Sequence, residues 1–261
     1  MRIITLTSDW HKNDFYVASI KGRILSQCPD VRIVDISHQI QTFNILQAAF
    51  VLKNSFRNFP DNTIHIIAVN SEPNKERPLV LVKAMSHFFI TCDNGIFGLM
   101  LDDAPDKIIK VNTKPGENTS FVAFDVFSRV ACELLKGKKP ENIGTPQKSL
   151  NKHVPVLPAI DESLINGSVV YIDSFRNAIT NISKEIFERI GKNRSFEIFI
   201  QSNHYKINKI NKAYNETSAG EILVLFNSAD LLEVAINNGN AADLLNLNVN
   251  SVIRVKFYSD K

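Results

Sequence analysis

The tract from Thr63 to Arg77, TIHIIAVNSEPNKER, runs from apolar and β-branched residues into a polar loop that holds Asn70, Glu72, Glu76 and Arg77. Such a run, bounded by turn residues, predicts a buried parallel strand, and open α/β sheets bind ligands at the carboxyl ends of their strands. Asn70 and Arg77 are therefore expected beside any chemistry this chain performs. An amide can orient a water but cannot take its proton, and a guanidinium only donates. Three further polar clusters follow strand-like runs: Ser8 and Asp9 with Asp14 close by, Asp93-Asn94-Gly95, and Asp173, Phe175, Asn177, Thr180 and Asn181 within GSVVYIDSFRNAITNI from Gly167 to Ile182. None of these clusters identifies a reaction by itself.

The elements that must position these residues alternate in type through the first half, which predicts βαβ units. Arg2 to Thr7 and Arg32 to Asp35 read as strands, and Asp14 to Cys28 as a helix. Asn44 to Phe56 reads as a second helix with Ile45, Ala48, Ala49, Leu52 and Phe56 on one face, opened by a capping box of Asn44 and Gln47. Two more apolar runs, Leu79 to Ala84 and Phe88 to Thr91, precede a helix from Asp125 to Lys136. The expected first domain is residues 1–150, an α/β domain with a mostly parallel central sheet. Between Thr145 and Asn166 three prolines interrupt any period, so residues 151–166 are read as a linker. Residues 167–261 are expected to form a smaller, mainly β domain with strands at Ser168 to Ile172, Ser195 to Ile200, Glu221 to Phe226 and Val252 to Phe257.

A chain of 261 residues with 44% hydrophobic content can bury the cores this arrangement needs. Lys and Arg total 30 against 27 for Asp and Glu, a near balance that gives no reason to expect nucleic acid or a membrane surface as a partner. Cys28, Cys92 and Cys132 are widely spaced and form no CxxC pair, which fits reduced thiols, a cytoplasmic location and no metal. MRIITLTSDW lacks the apolar region of a signal peptide, and no window approaches the ~18 apolar residues of a membrane helix.

In order along the chain, these tracts resemble the S-adenosylmethionine hydroxide adenosyltransferase family, which also contains the bacterial fluorinase and chlorinase. TLTSDWHKNDFYVASIKG, from Thr5 to Gly22, is similar to the family's opening of Thr-x-Thr-Asp-Phe-Gly, an Asp, and Tyr-Val-Ala-x-x-Lys-Gly. DISHQI from Asp35 to Ile40 resembles its Asp-Ile-Thr-His-x-Ile, and FPDNT from Phe59 to Thr63 its Phe-Pro-x-Gly-Thr. Asp93 to Gly95 resembles its Asp-Asn-Gly, and NSADLLEVAINNGNAADLL from Asn227 to Leu245 its Asn-Ser, Leu-Glu-Ile-Ala and Asn-x-Gly-Asn-Ala-Ala tract.

The resemblance implies a homotrimer that binds S-adenosylmethionine between the N-terminal domain of one subunit and the C-terminal domain of its neighbour, with no further cofactor. A nucleophile then attacks the ribose C5′ and expels neutral methionine. By position, Asp9 would bind the ribose hydroxyls, Asp173 and Ser228 the methionine amine and carboxylate, and Asn177 the adenine edge, with Phe121 and Phe175 as apolar walls. The residues alone leave duller roles open: Asp9 as a helix cap, Asp173 and Asn177 as turn residues, and both phenylalanines as core.

The chain also departs from the family. Hydrolysing members are expected to place an Asp at residue 70, an Arg seven residues on, and a His in a Phe-His-Gly-Arg-Asp tract. Here residue 70 is Asn, Arg77 keeps the spacing, and the tract reads FVAFD from Phe121 to Asp125, with Val122 at the His position. General-base assistance is typically worth about 10²- to 10⁴-fold, so slow hydrolysis is expected, with Arg77 stabilising the attacking water and Asn70 orienting it. The alternative is a non-catalytic protein that binds S-adenosylmethionine or adenosine. Halide transfer ranks behind both, since the Tyr and Ser of halogenating relatives are Asn70 and Ala123 here. Phe175-Arg176-Asn177 replaces Phe-Gly-Asn and puts bulk where Gly admits the ligand. His11, in the first loop, and Lys206, Lys209 and Lys212 read as surface residues, and His38 as structural.

Overall fold

The computed structural model describes residues 2–11, 13–117, 120–201 and 205–258, and the chain divides into two compact units, Met1–Pro155 and Val156–Lys261. In the first unit the elements run β1 (Ile3–Ser8), α1 (Phe15–Gln27), β2 (Arg32–Ser37), α2 (Ile45–Lys53), β3 (Ile64–Ala68), β4 (Leu79–Ala84), β5 (His87–Cys92), α3 (Phe97–Met100), β6 (Lys107–Val111), α4 (Ser128–Leu135) and β7 (Gly144–Pro146). Among the described residues they form a seven-stranded sheet in the order β2-β1-β3-β5-β4-β6-β7.

The sheet is parallel through β2, β1, β3 and β5, and antiparallel from β5 to β7. The change comes at a two-residue turn, where Met85 and Ser86 both take positive φ, 50° and 64°, as a tight hairpin turn of matching twist requires. Every residue of β1 and β3 is buried, because helices cover both faces. On one face Ile4, Leu6, Ile64 and Ile66 pack with Ile20 and Ile24 of α1 and Val130 of α4. On the other, Ile67, Val80 and Phe89 pack with Ala48, Ala49 and Leu52 of α2 and with Phe56.

Asn44 caps α2, its Oδ1 accepting from the Gln47 amide at 3.0 Å. The reciprocal half of a capping box is not made, since Gln47 Oε1 accepts instead from the Gln41 amide. The FVAFD tract enters its helix through a π-helical turn, Ala123–Phe127, ahead of α4.

The second unit comprises β8 (Ala159–Asp161), β9 (Leu164–Ile172), β10 (Ala178–Ser183), α5 (Lys184–Gly191), β11 (Ser195–Ile200), β12 (Tyr205–Ile207), β13 (Ile222–Phe226), β14 (Leu231–Ile236), α6 (Ala241–Leu244) and β15 (Val252–Tyr258). All its named strand pairings are antiparallel, in the order β12-β11-β15-β9-β10-β14-β13, with β8 on β9. Part of the segment 151–166 is thus paired, since Ile160 of β8 faces Ile165 of β9. Val169, Ile182, Ile198, Val224, Val234 and Val255 fill the core. No helix among the described residues is long and apolar enough to cross a membrane.

Candidate active site

The order β2-β1-β3 reverses the direction of winding at β1. Open α/β sheets take ligands in the crevice outside the carboxyl ends of the strands at such a point. Ser8 of β1 lies abreast of Ala68 of β3, so Asp9 and Asn70 emerge on either side of this crevice. Asp9 Oδ2 accepts from the backbone amides of Phe43 at 2.8 Å and Asn70 at 3.3 Å. It does not cap α1, which starts after Asp14 and receives no capping bond from that side chain. One carboxylate therefore ties the loops that follow β1, β2 and β3.

Asn70 adopts φ +45°, a left-handed conformation that Asn tolerates better than most residues. Asn94 holds it there, Nδ2 donating to the carbonyls of Val69 at 3.0 Å and Asn70 at 3.2 Å. Sequence reasoning placed Asn94 in a motif but gave it no role. In the loop beyond, Asn74 Oδ1 accepts from the amides of Glu76 and Arg77 and turns the chain back. Arg77 Nη1 then donates to Asn70 Oδ1 at 3.3 Å. Glu72 and Glu76 are exposed. Beneath the loop Cys92 Sγ donates to the Arg77 carbonyl at 2.9 Å, and burial pushes its thiol up to about 12. Burial also raises Asp93, against the opposing hydrogen bonds from Asn151 and Gln147.

Phe121 lies edge-on to Trp10 and Tyr16, with ring centroids 5.3 and 5.0 Å away, and stacks on Phe124 at 5.6 Å. Val122 and Ala123 are buried in the core shared by α1 and α4. The residues at the family's His and Gly positions are here packing material.

A polar chain missed by sequence reasoning adjoins Asp9. Ser8 Oγ is 2.6 Å from His38 Nδ1, and His38 Nε2 lies 3.2 Å from Asp35 Oδ1, which belongs to the carboxylate that also pairs with Lys21. Burial would raise Asp35, but the hydrogen bond from Lys21 and the nearby His38 ring outweigh it and hold the carboxyl below its usual value. The His38 carbonyl accepts from the amide of His11, which has φ +59°.

In the second unit the β9–β10 turn is built on Asp173. Its Oδ1 accepts from the Asn177 amide at 2.8 Å and its Oδ2 from Asn177 Nδ2 at 3.2 Å. Asn177 is buried, while Phe175 at the tip is 77% exposed and so belongs to no core in this unit. Arg176 keeps the positive φ that suits Gly, +66°, and sends its guanidinium to Asp243 at 2.5 Å. Its bulk is thus directed to α6. Ser228 is exposed on the turn after β13. Among the described residues, no group of three or more His, Cys, Asp or Glu side chains is placed to hold a metal ion.

Residues 4–144 match the family model of the SAM hydroxide adenosyltransferase N-terminal domain, and residues 167–254 that of the C-terminal domain. The chain belongs to the S-adenosylmethionine hydroxide adenosyltransferase family. It is 32% identical to the (R)-S-adenosyl-L-methionine hydrolase of Methanocaldococcus jannaschii over 94% of this chain and 92% of that one. The protein of the same name from Thermus thermophilus is 27% identical, over 98% of this chain and all of the other. A fluorinase of Nocardia brasiliensis is 42% identical over 62 residues, 24% of this chain. Among solved structures, an uncharacterized conserved protein from Thermotoga maritima superposes with a TM-score of 0.87 at 25% identity, covering 97% of this chain and 99% of that one.

Proposed function

We propose that this chain hydrolyses S-adenosylmethionine to adenosine and L-methionine, and that its substrate is the (R) epimer named for its relatives. The observation that supports this most is Arg77 resting on Asn70 at the β1–β3 switch point beside Asp9, in a chain matched by both family domains. Asp9 accepts from the ribose hydroxyls, since an ionised carboxylate has lone pairs for both. Asp173 and Ser228 hold the methionine amine and carboxylate, Asn177 the adenine edge, and Phe121 and Phe175 form apolar walls. The exposure of Phe175 accords with a site completed by a second subunit of a homotrimer.

The leaving group is a neutral thioether, so the protein has chiefly to align the nucleophile with C5′ and strip its solvent. Arg77 stabilises negative charge on the incoming oxygen and the Asn70 carbonyl orients its proton. Neither can take that proton, so turnover is slow. A cytoplasmic location, with no nucleic acid or membrane partner, completes this reading.

The Asn70 amide and the buried Val122 favour one competing reading, a protein that binds S-adenosylmethionine or adenosine without turnover. Incubation of the purified protein with S-adenosylmethionine, followed by chromatography of adenosine, separates the two. Release above the protein-free rate supports hydrolysis. Tight calorimetric binding without release would leave only the binding role.

A further inference from the structure

Strand β14 reads Leu231-Leu232-Glu233-Val234-Ala235-Ile236, and its single charge is buried to 2% exposure. Glu233 faces Leu225 of β13 and Ile179 of β10 across the sheet. Leu223, Leu225 and Ala235 form an apolar cluster on these two strands. An apolar side chain would continue that cluster without the cost of desolvating a carboxyl, which is several kcal/mol for an unpartnered charge. Two donors meet the Glu233 carboxyl instead. Tyr214 Oη donates to Oε1 at 2.8 Å, and Asn227 Nδ2 donates to Oε2 at 3.0 Å.

The second contact has a geometric result. With Asn227 Nδ2 committed to Glu233, its Oδ1 faces the other way and accepts from the amides of Ala229 at 3.0 Å and Leu231 at 3.2 Å. The Asn227 amide also donates to the Leu231 carbonyl, and the Asp230 amide to the Asn227 carbonyl. Ser228 sits inside this turn. An amide flipped end for end would offer donors to donors, so the acceptor at Glu233 selects the orientation that closes the turn.

We propose that Glu233 is a positioning residue for the methionine end of the substrate: it orients Asn227, Asn227 shapes the turn that presents Ser228, and Tyr214 anchors Glu233 from the connection between β12 and β13. The proposal rests on the function given above. Glu233 itself touches no substrate in this scheme.

The test compares Glu233→Leu, Glu233→Gln and Tyr214→Phe with the wild-type full-length protein by two measurements. Hydrogen exchange at the Ala229 and Leu231 amides reads the turn, and calorimetry with L-methionine and with adenosine reads the two halves of the site. Glu233→Leu should speed both exchange rates and weaken methionine binding about 10- to 100-fold, with adenosine affinity unchanged. Glu233→Gln can still accept from Asn227 and donate to the Tyr214 oxygen, so it should lose less than Glu233→Leu. Tyr214→Phe, at a residue 45% exposed, is expected to fold and to lie between wild type and Glu233→Leu. Unchanged exchange, or equal loss of methionine and adenosine binding, overturns the inference while the hydrolase reading stands. A wild-type protein that binds neither compound overturns the reading and this inference together, and is recognised without any variant.

Discussion

Arg77 Nη1 and Asn70 Oδ1 lie 3.3 Å apart, so a guanidinium at the switch-point crevice rests on a neutral amide. The same geometry with a carboxylate would form an ion pair able to accept a proton. Restoring that carboxylate is the most direct test of what limits turnover. Asn70→Asp should raise the rate of adenosine release by about 10²- to 10⁴-fold, measured at saturating S-adenosylmethionine. An unchanged rate would move the limiting step away from proton removal.

The missing base also shapes the pH profile. With no side chain at Asn70 to deprotonate water, hydroxide comes from solvent, and kcat/KM for the wild type should climb about tenfold per pH unit through neutrality. In Asn70→Asp the profile should instead level off above the titration of the new carboxylate. A wild-type plateau would assign the base to Glu72 or Glu76, the exposed glutamates of the same loop.

Arg176 turns to Asp243, which predicts that its bulk does not obstruct the adenine position. Arg176→Gly should leave adenosine affinity within about twofold of wild type. Relief of the left-handed backbone, about 1–2 kcal/mol, is opposed by the greater freedom of Gly in the unfolded chain and by loss of an exposed, solvent-screened ion pair with Asp243. The melting temperature should therefore move by only a few degrees. A large gain in affinity would show that the guanidinium does intrude.

His65 and His87 make the first unit sensitive to acid. His65 Nδ1 is 2.7 Å from Thr5 Oγ1, its Nε2 is 3.1 Å from His87 Nδ1, and its ring stacks on Phe89. Burial, with repulsion from His87, lowers His65 from 6.5 to about 3, and burial lowers His87 against the opposing pull of Asp61. An unfolded chain takes up these protons near 6.5 while the fold refuses them. The contribution of these two histidines to stability is thus complete above about pH 6.5 and is lost as pH drops toward 3. His65→Phe should flatten this dependence in denaturant titrations from pH 7 to 4, although it leaves Thr5 Oγ1 without its partner and lowers stability at neutral pH by about 1–3 kcal/mol. An equally steep loss in the variant would assign the acid sensitivity to other groups.

Strands buried on both faces were the easiest to read, because burial writes itself as an unbroken apolar run: β1 and β3 lie where their runs predict. The helix at Asn44 was legible from its cap and its period, and Asp9, Asn70 and Arg77 from their place at the ends of strands. What sequence could not supply were bonds between distant loops. Nothing local says that Asp9 takes the amides of Phe43 and Asn70, or that Ser8 meets His38. Strand β10 was hidden because its tract, AITNIS, reads as polar turn chemistry, and β14 because Glu233 breaks its apolar run. Helix α5 is short, and its Ser183 cap, which accepts from the Ile186 amide, went unread.

Asp9 commits only Oδ2 to the two loop amides, and no donor among the described residues is bonded to Oδ1. If a ribose hydroxyl occupies Oδ1, charge drawn toward the ligand is withdrawn from the bonds to Phe43 and Asn70. The nucleoside would then weaken the bonds that hold Asn70, the residue proposed above to orient the attacking water. Recognition of the sugar and alignment of the nucleophile would be two readings of one oxygen pair, inseparable by any substitution at residue 9.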